Sequence, residues 1–288
     1  MKRRQYRIYT DKVESSKNIA VCSDLHLNEH TPKKKVDDVL ETLNEIKPSH
    51  IIIPGDLYDV CESTISKKDD IVTKFIDEAT DIADVFYVKG NIEQRSMLLP
   101  YGLYYNNNPR FHLLGENNSN GKYRYINDNE INVSAIKLPL SFYYLSEKER
   151  CKELLEKYNK YLEKLSKYCG SKKFNILLCH DPIIISALKM YREIVKNDLN
   201  FDLIVSGHNH GGLFPSWMKS LLEYTGVNIE MAYPSYLKGA YQIGENQMAV
   251  VSEGITKFHS GFGKIERLEM LHEGTIENVK VLKKQIKQ

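Results

Sequence analysis

The chain has 288 residues, a length that suits one large domain or two small ones and allows a substantial hydrophobic core. Hydrophobic residues make up 42% and charged residues 27%, which is the composition of a soluble globular protein. The formal net charge of +2 argues against a nucleic-acid binder that works by bulk electrostatics. No apolar run approaches the length of a membrane-spanning helix.

The N-terminus and the cysteines both favour a cytoplasmic location. The basic start, Met1 to Arg4, is followed by polar residues up to Lys17, without the apolar core or the cleavage site of a signal peptide. The five cysteines are scattered without a C-x-x-C pair, so we expect reduced thiols. Cys22 and Cys179 lie in apolar runs and are most simply small core residues.

The first third of the chain predicts a unit of three parallel strands and two helices. Three short apolar runs have the length and composition of buried strands, namely residues 19–23, 50–53 and 85–88. Between them, apolar residues recur at helical spacing from Pro32 to Pro48 and from Lys67 to Ala79. In parallel sheets of this kind, ligand-binding residues lie just beyond the carboxyl ends of the strands.

The rest of the chain indicates a second sheet. Strand-like runs at 122–126 and 131–136 flank a turn sequence, so we expect an antiparallel hairpin there. Further strands are predicted at residues 111–114, 174–179, 201–206, 239–243, 247–252, 265–271 and 275–282. We find no internal repeat and no linker, and therefore expect a single domain over residues 1–288.

A long helix is predicted between the two halves of this second sheet. Ser146 and Glu149 have the spacing of a capping box, and Cys169-Gly170 ends the helical pattern. Its apolar stripe, which on this spacing includes Tyr168, predicts a surface helix that covers the sheet. The alternative is a helix that forms a lid over a site.

Metal-ligating residue types follow several of the predicted strands. The clearest example is the segment 207–212, in which His208 and His210 are separated by one residue and flanked by glycines. The complete set is Asp24, His26, Asp56, Asn91, His180, His208 and His210. Nitrogen and oxygen ligands without a thiolate suit two first-row divalent metals such as Mn²⁺, Fe or Zn²⁺.

Five short motifs in this order resemble those of the calcineurin-like metallophosphoesterase superfamily. They are Asp24-Leu25-His26, Gly55-Asp56-Leu57-Tyr58-Asp59, Gly90-Asn91-Ile92-Glu93, His180-Asp181 and Gly207-His208-Asn209-His210. The resemblance implies a four-layer αββα sandwich of two mixed β-sheets, an α/β fold with a di-metal centre.

The resemblance also implies a division of the ligands between two metals. Carried over by position, one metal is held by Asp24, His26, Asp56 and His210. The other is held by Asp56, Asn91, His180 and His208, with Asp56 bridging. A hydroxide that bridges the metals would attack a phosphomonoester, a phosphodiester or a nucleotide pyrophosphate, and we expect Asp56, Asn91 and His208 to be catalytic.

One position departs from the family pattern and leaves a second class of function open. Many members have histidine after the Gly-Asn pair, where it is thought to protonate the leaving group, but here the residue is Ile92. His30 and His259 are candidates for a substitute proton donor, and Arg95 for a phosphate clamp; each is otherwise an ordinary surface residue. The alternative function is a protein-interaction scaffold with weak or no catalysis.

The aromatic-rich segment 213–236 follows directly after His210. We expect it to form one wall of the substrate pocket, with Trp217 contacting an apolar leaving group or a lipid tail at a membrane surface. The alternative is that these residues close the core beneath the second sheet. The expected partner is a small-molecule phosphate ester, and the pattern carries no signal for an oligomeric state.

Overall fold

The architecture was obtained as a computed structural model. It describes residues 1–28, 30–59, 71–95, 108–115, 126–127, 129–212, 224, 234–256 and 274–284. No helix within these ranges is both long and apolar enough to cross a membrane. In chain order, the described elements are β1 (Lys2–Thr10), β2 (Lys17–Val21), α1 (Lys33–Ile46), β3 (His50–Ile53), α2 (Ile71–Ile82), β4 (Asp84–Val88), α3 (Asn91–Arg95), β5 (Phe111–Leu114), β6 (Ile126–Asn127), β7 (Ile131–Ala135), a 3-10 helix (Leu140–Tyr144), α4 (Glu147–Cys169), β8 (Phe174–Leu178), α5 (Ile183–Val195), β9 (Leu203–Ser206), β10 (Gly239–Gln242), β11 (Met248–Val251) and β12 (Thr275–Lys283).

The first sheet contains the predicted parallel unit. Its described strands lie in the order β1-β12-β2-β3-β4-β5, and β2, β3, β4 and β5 run parallel to one another. Strand β12 is antiparallel to β2, which makes the sheet mixed. The predicted strand at 265–271 and the start of the predicted second helix, 67–70, lie outside the described residues, and α2 continues three residues beyond Ala79.

Strand β1 forms where the sequence analysis found only polar residues. It runs parallel to β12, from Lys2 opposite Thr275 to Thr10 opposite Lys283. Side chains alternate along it, with Tyr6 and Ile8 turned partly inward and their neighbours exposed. As an edge strand with one partner, β1 needs only a narrow apolar stripe. Polar and basic residues lie between its apolar positions, so the sequence of this segment does not resemble a buried strand.

The second sheet has the described strand order β10-β11-β9-β8-β7-β6 and is also mixed. Strands β7, β8, β9 and β11 are parallel, while β6 and β10 pair antiparallel at the two edges. The hairpin predicted from residues 122–126 and 131–136 is therefore confirmed where the structure describes it, and the predicted strands at 239–243 and 247–252 also pair antiparallel, as β10 and β11. The helix α5 was not predicted; its first three residues are all isoleucine, a β-branched residue that also favours strands.

Three apolar layers hold the sheets and helices together and confirm the four-layer αββα arrangement. Between the sheets, side chains from both inner faces meet, among them Val21, Phe86 and Ile176. Helices α1 and α2 cover the outer face of the first sheet. Helices α4 and α5 cover the outer face of the second sheet.

Helix α4 follows its predicted boundaries. The Ser146 side chain accepts from the Glu149 backbone N–H, and the Glu149 carboxylate accepts from the Ser146 N–H, which completes the capping box. The prediction that Tyr168 belongs to the buried stripe is wrong, because that side chain is 64% exposed. Cys169 is buried instead, since one residue along a helix turns the side chain by about 100°.

The two cysteines assigned to the core are there. Cys22 and Cys179 are both fully buried and unpaired. Burial raises the pKa of each thiol well above its usual range, since the charged thiolate is poorly solvated. Both therefore behave as small apolar residues.

Candidate metal centre

The predicted ligand residues lie together beyond the carboxyl ends of strands from both sheets. They are Asp24 and His26 after β2, Asp56 after β3, Asn91 after β4, His180 after β8, and His208 with His210 after β9. Six of these residues are buried and His208 is half-buried. Parallel strands in the two sheets thus deliver ligand-type side chains to one edge of the sandwich.

Two clusters can be distinguished by distance. The first cluster comprises Asp24, His26, Asp56 and His210, and the second cluster comprises Asp56, His180 and His208. In each cluster, the candidate ligand atoms lie within 4.8 Å of one another. The Asn91 amide oxygen lies 3.1 Å from His180 Nε2 and so joins the second cluster. Asp56 belongs to both.

Three of the imidazole rings have their Nδ1 atom in contact with an oxygen atom outside the cluster. His180 Nδ1 lies 2.7 Å from the Pro54 carbonyl, and His210 Nδ1 lies 2.6 Å from the Thr256 carbonyl. A carbonyl oxygen only accepts, so both rings carry a proton on Nδ1 and keep a lone pair on Nε2 when neutral. His26 Nδ1 contacts the Asp59 carboxylate at 2.7 Å. Such contacts orient metal-ligating histidines.

The Nε2 atoms of these rings face other hydrogen-bond acceptors, an arrangement that a bound cation would stabilise. His180 Nε2 lies 3.1 Å from the Asn91 oxygen and 3.2 Å from Asp56 Oδ2. In the first cluster, the Nε2 atoms of His26 and His210 are 3.3 Å apart, and His210 Nε2 is 3.4 Å from Asp24 Oδ1. Lone pairs that converge in this way fit a divalent metal in each cluster.

Within the second cluster, the pKa values of His180 and His208 are shifted in opposite directions. Burial alone lowers the pKa of His180, but the Asp56 carboxylate outweighs it and raises that pKa to about 10. Burial also lowers the pKa of His26, but the hydrogen bond to Asp59 and the charge of Asp56 outweigh it and raise that pKa to about 9. Burial and the charge of His180 lower the pKa of His208 to about 4. The carboxylates thus favour a positive charge at the shared Asp56.

Backbone strain is concentrated at the candidate ligands. Five of them adopt left-handed φ angles, which are 53° for Asp24, 48° for His26, 49° for Asp56, 71° for His208 and 46° for His210. Such conformations cost of order 1–3 kcal/mol each and persist where the surrounding structure enforces them. Two glycines are required by close approach, since a Cβ on Gly90 would overlap the Asp56 carboxylate and one on Gly207 would overlap Ser23 Oγ.

Glu93 supports the site in a way that the sequence analysis did not assign. Its fully buried carboxylate accepts from the backbone N–H groups of Gly90 at 2.9 Å, Asp56 at 3.2 Å and Leu57 at 2.5 Å. It therefore ties the Asp56 loop to the Asn91 loop. Burial and the neighbouring Asp56 raise the pKa of Glu93 to about 7. Its place two residues after Asn91 was the available sequence signal.

Tyr143 is the second unanticipated residue at the site. Its ring centroid lies 5.1 Å from that of His208, in an edge-on arrangement, and 6.1 Å from that of His180. It belongs to the short 3-10 helix, whose sequence carries no periodic pattern that would indicate a site. Asp59, which orients His26, was recognised only as part of a motif.

Four further residues, which the sequence predicts to contact the substrate, do not belong to either cluster in the described part of the chain. Arg95 is exposed at the end of α3, and His30 is exposed in the loop that also carries His26. His30 donates its backbone N–H to the Asn28 side chain at 2.9 Å. His259 and Trp217 lie outside the described residues, as does most of the segment 213–236. Roles for all four stay predictions.

A two-sheet αββα sandwich with two adjoining Asp/His clusters at its strand ends is the architecture of a metallophosphoesterase. The family model described as calcineurin-like phosphoesterase matches residues 17–212. The chain belongs to this family.

Named relatives and solved structures are similar over most of the chain. Two proteins called uncharacterized metallophosphoesterase, from Helicobacter pylori strains 26695 and J99, are each 26% identical over 249 residues, covering 86% of this chain and 56% of the relative. The chain therefore spans about half the length of the curated relatives it matches.

Among solved structures, a dimetal phosphatase from Danio rerio is 10% identical with a TM-score of 0.43, covering 82% of this chain and 87% of that chain. GAP50, described as the anchor in the inner membrane complex of Plasmodium, is 13% identical with a TM-score of 0.42, covering 86% and 75% respectively.

Proposed function

We propose that the protein is a di-metal phosphoesterase that hydrolyses a phosphomonoester, a phosphodiester or a nucleotide pyrophosphate. The observation that carries the proposal is the pair of clusters that share the buried Asp56. When bound, two divalent cations (Mn²⁺, Fe or Zn²⁺) would supply Lewis-acid activation of water and of the phosphoryl group. The donor set, with imidazole nitrogens and carboxylate oxygens, suits such ions.

The protein's own residues have three tasks in this proposal. Asp24, His26 and His210 would hold the first cation, His180, His208 and Asn91 would hold the second, and Asp56 belongs to both ligand sets. Asp59 and two backbone carbonyls keep the imidazole rings in the orientation that ligation needs. Glu93 holds the two loops that carry Asp56 and Asn91 at a constant separation.

The strain and the oriented rings favour an enzyme over the scaffold alternative. Five left-handed backbone positions and three oriented imidazoles reduce stability or restrict sequence without any benefit to a protein-binding surface. Two features of the sequence favour a scaffold: Ile92, whose side chain cannot transfer a proton, and the aromatic-rich segment from Trp217 to Tyr236, most of which lies outside the described residues. The backbone N–H of Ile92 nevertheless donates to Asp56 Oδ1 at 3.0 Å, so the position still supports the shared carboxylate.

The test is a screen of phosphate esters with Mn²⁺, Zn²⁺ or Fe added separately. Mono-, di- and pyrophosphate esters of activated aryl alcohols would be compared, and the number of bound metals measured alongside turnover. A matched control is Asp84→Asn, since Asp84 pairs with Arg110 on the surface and lies at the opposite end of its strand from the site. The wild type and this control should both bind two metals and turn over at least one ester class.

Binding of two metals without turnover of any ester class would contradict catalysis and favour the scaffold. Failure to bind two metals would contradict the assignment of one metal to each cluster. The two outcomes are therefore distinguishable in the same samples.

A further inference from the structure

Two neighbouring elements each place an apolar or aromatic residue beside the second cluster. Helix α3 packs against the 3-10 helix, and Gln94 Nε2 donates to the Leu138 carbonyl at 2.9 Å just before that helix. Ile92 on the first element and Tyr143 on the second are both half-buried. Tyr143 lies edge-on against His208, and the Ile92 backbone contacts Asp56. Both residues therefore border the second cluster.

The hydroxyl oxygen of Tyr143 is more deeply buried than the residue as a whole. The hydroxyl oxygen is fully buried and has no hydrogen-bond partner among the residues that the structure describes. The residue as a whole is only half-buried, so its exposed part does not include the hydroxyl oxygen. An unpartnered buried hydroxyl costs free energy, which means that the position of the ring is maintained by its packing and not by a hydrogen bond.

The burial of the two clusters indicates where the ester group of a substrate extends. Every residue of the first cluster is buried, while His208 in the second cluster is half-buried. A phosphoryl group near Asp56 can therefore extend its ester group towards His208 more readily than towards the first cluster. On that side lie the Tyr143 ring, edge-on to His208, and the apolar residue Ile92 on the neighbouring helix α3. Aromatic rings bind planar apolar groups by stacked or edge-on contact.

We propose that Tyr143 and Ile92 form the binding surface for the ester group of the substrate, and that this surface selects aryl or heteroaryl esters over aliphatic esters. The inference rests on the proposed phosphoesterase function and adds a substrate class to it. It also gives Ile92 a role, since an apolar side chain at this position extends the surface that an imidazole would interrupt.

The decisive experiment separates apolar recognition from leaving-group chemistry. Turnover would be compared for phenyl phosphate and for a fluorinated alkyl phosphate whose parent alcohol has a similar pKa. The wild type should prefer the aryl ester in kcat/KM, and Tyr143→Ala should reduce that preference by about ten-fold, mainly through KM. Tyr143→Phe, which keeps the ring, should retain the preference. Tyr144→Ala is the matched control, because Tyr144 is 72% exposed on the same short helix.

Binding of inert phosphonates gives a readout that does not depend on turnover. Calorimetry on the metal-loaded protein would compare phenylphosphonate with cyclohexylphosphonate, and the wild type should bind the phenyl compound more tightly. Tyr143→Ala should remove that difference; if this variant does not fold, Tyr143→Leu keeps an apolar side chain without the ring. A selective phenylphosphonate site in a protein that turns over no ester would contradict the proposed function alone.

An aryl preference that is unchanged in the folded Tyr143→Ala or Tyr143→Leu variant would overturn the inference while leaving the phosphoesterase function intact. A loss of the preference in Tyr143→Phe as large as that in Tyr143→Ala would also overturn it, because the hydroxyl would then make the contact.

Discussion

The first and second clusters share Asp56 but differ in how their other side chains are enclosed. In the first cluster every residue is buried, and both histidine rings are held from behind, His26 by Asp59 and His210 by the Thr256 carbonyl. In the second cluster His180 is buried and held by the Pro54 carbonyl. His208 is half-buried, and among the described residues its ring has aromatic neighbours instead of a hydrogen-bond partner.

This difference indicates a division of labour between the clusters. A ligand set that is closed and oriented on all sides binds its ion tightly and leaves little access for a substrate. A set with one half-buried residue leaves a side from which a substrate can approach. We therefore expect the first cluster to anchor the centre and the second cluster to face the ester. Five variants test this expectation, in order of decreasing effect.

The largest effect is expected for Asp56→Asn, because this carboxylate is the one residue common to both clusters. The amide removes the negative charge that both cations share, so metal occupancy should fall at both positions. Turnover should fall by roughly 10²–10³-fold, the scale of removing one charge-stabilising group from a site. Elemental analysis after dialysis measures occupancy, with Asp84→Asn as the control. Two metals retained in full would refute the shared role of Asp56.

The comparison itself is tested by His210→Ala and His208→Ala. Each should lower turnover by about 100-fold at low free metal while leaving one metal bound, since each removes a ligand from one cluster only. Added metal should restore His208→Ala more readily, because His208 is half-buried and a water molecule can take its place. Metal titrations of turnover, together with thermal unfolding, separate the two variants. Equal restoration of both would remove the distinction between a closed and an open cluster.

Ile92→His tests whether the second cluster lacks a proton donor for the leaving group. With isoleucine there, rates should depend steeply on the pKa of the leaving group, so aryl esters should react much faster than alkyl esters. The new imidazole should raise alkyl-ester turnover more than aryl-ester turnover, by up to about 10²-fold if the ring reaches the leaving oxygen. A series of esters with graded leaving groups measures this in both proteins. A flat dependence in the wild type would mean that another group, such as His30 or His259, already supplies the proton.

The smallest effect is expected for Asp59→Asn, which changes a partner of a ligand and not a ligand itself. Asp59 Oδ1 lies 2.7 Å from His26 Nδ1 and raises the basicity of that ring. Metal affinity at the first cluster should fall by about 10-fold, the lower end for such partners. Competition with a chelator measures it, and occupancy of the second cluster serves as the internal reference. An equal loss at both clusters would show that Asp59 acts on the whole loop.

Local sequence patterns were sufficient for the elements that lie nearest to the site. The apolar runs before Asp24, Asp56 and His180 are short and bounded by turn residues, so strand position and ligand position could be read together. The capping box at Ser146 identified the start of α4 to the residue, because both partners lie within one turn. The prediction of a single domain over the whole chain stays a prediction.

Long-range contacts decided the remaining features. Strand β1 is a strand because β12, at the other end of the chain, offers it a partner, and no local property of its basic residues requires this. Tyr143 lies edge-on to His208, which is distant in sequence, and the 3-10 helix that carries Tyr143 packs against α3. Neither relation has a signature at short sequence separation.

The sequence by itself determined which residue types follow each strand, and hence the chemistry available at one edge of the sandwich. Only the tertiary structure decided how that chemistry is arranged: which cluster is closed, which residue is half-buried, and which buried carboxylate ties the loops together. The physical reason is that residue identity is local, whereas burial and the energy of left-handed backbone at Asp24 and His210 depend on what both sheets place around them.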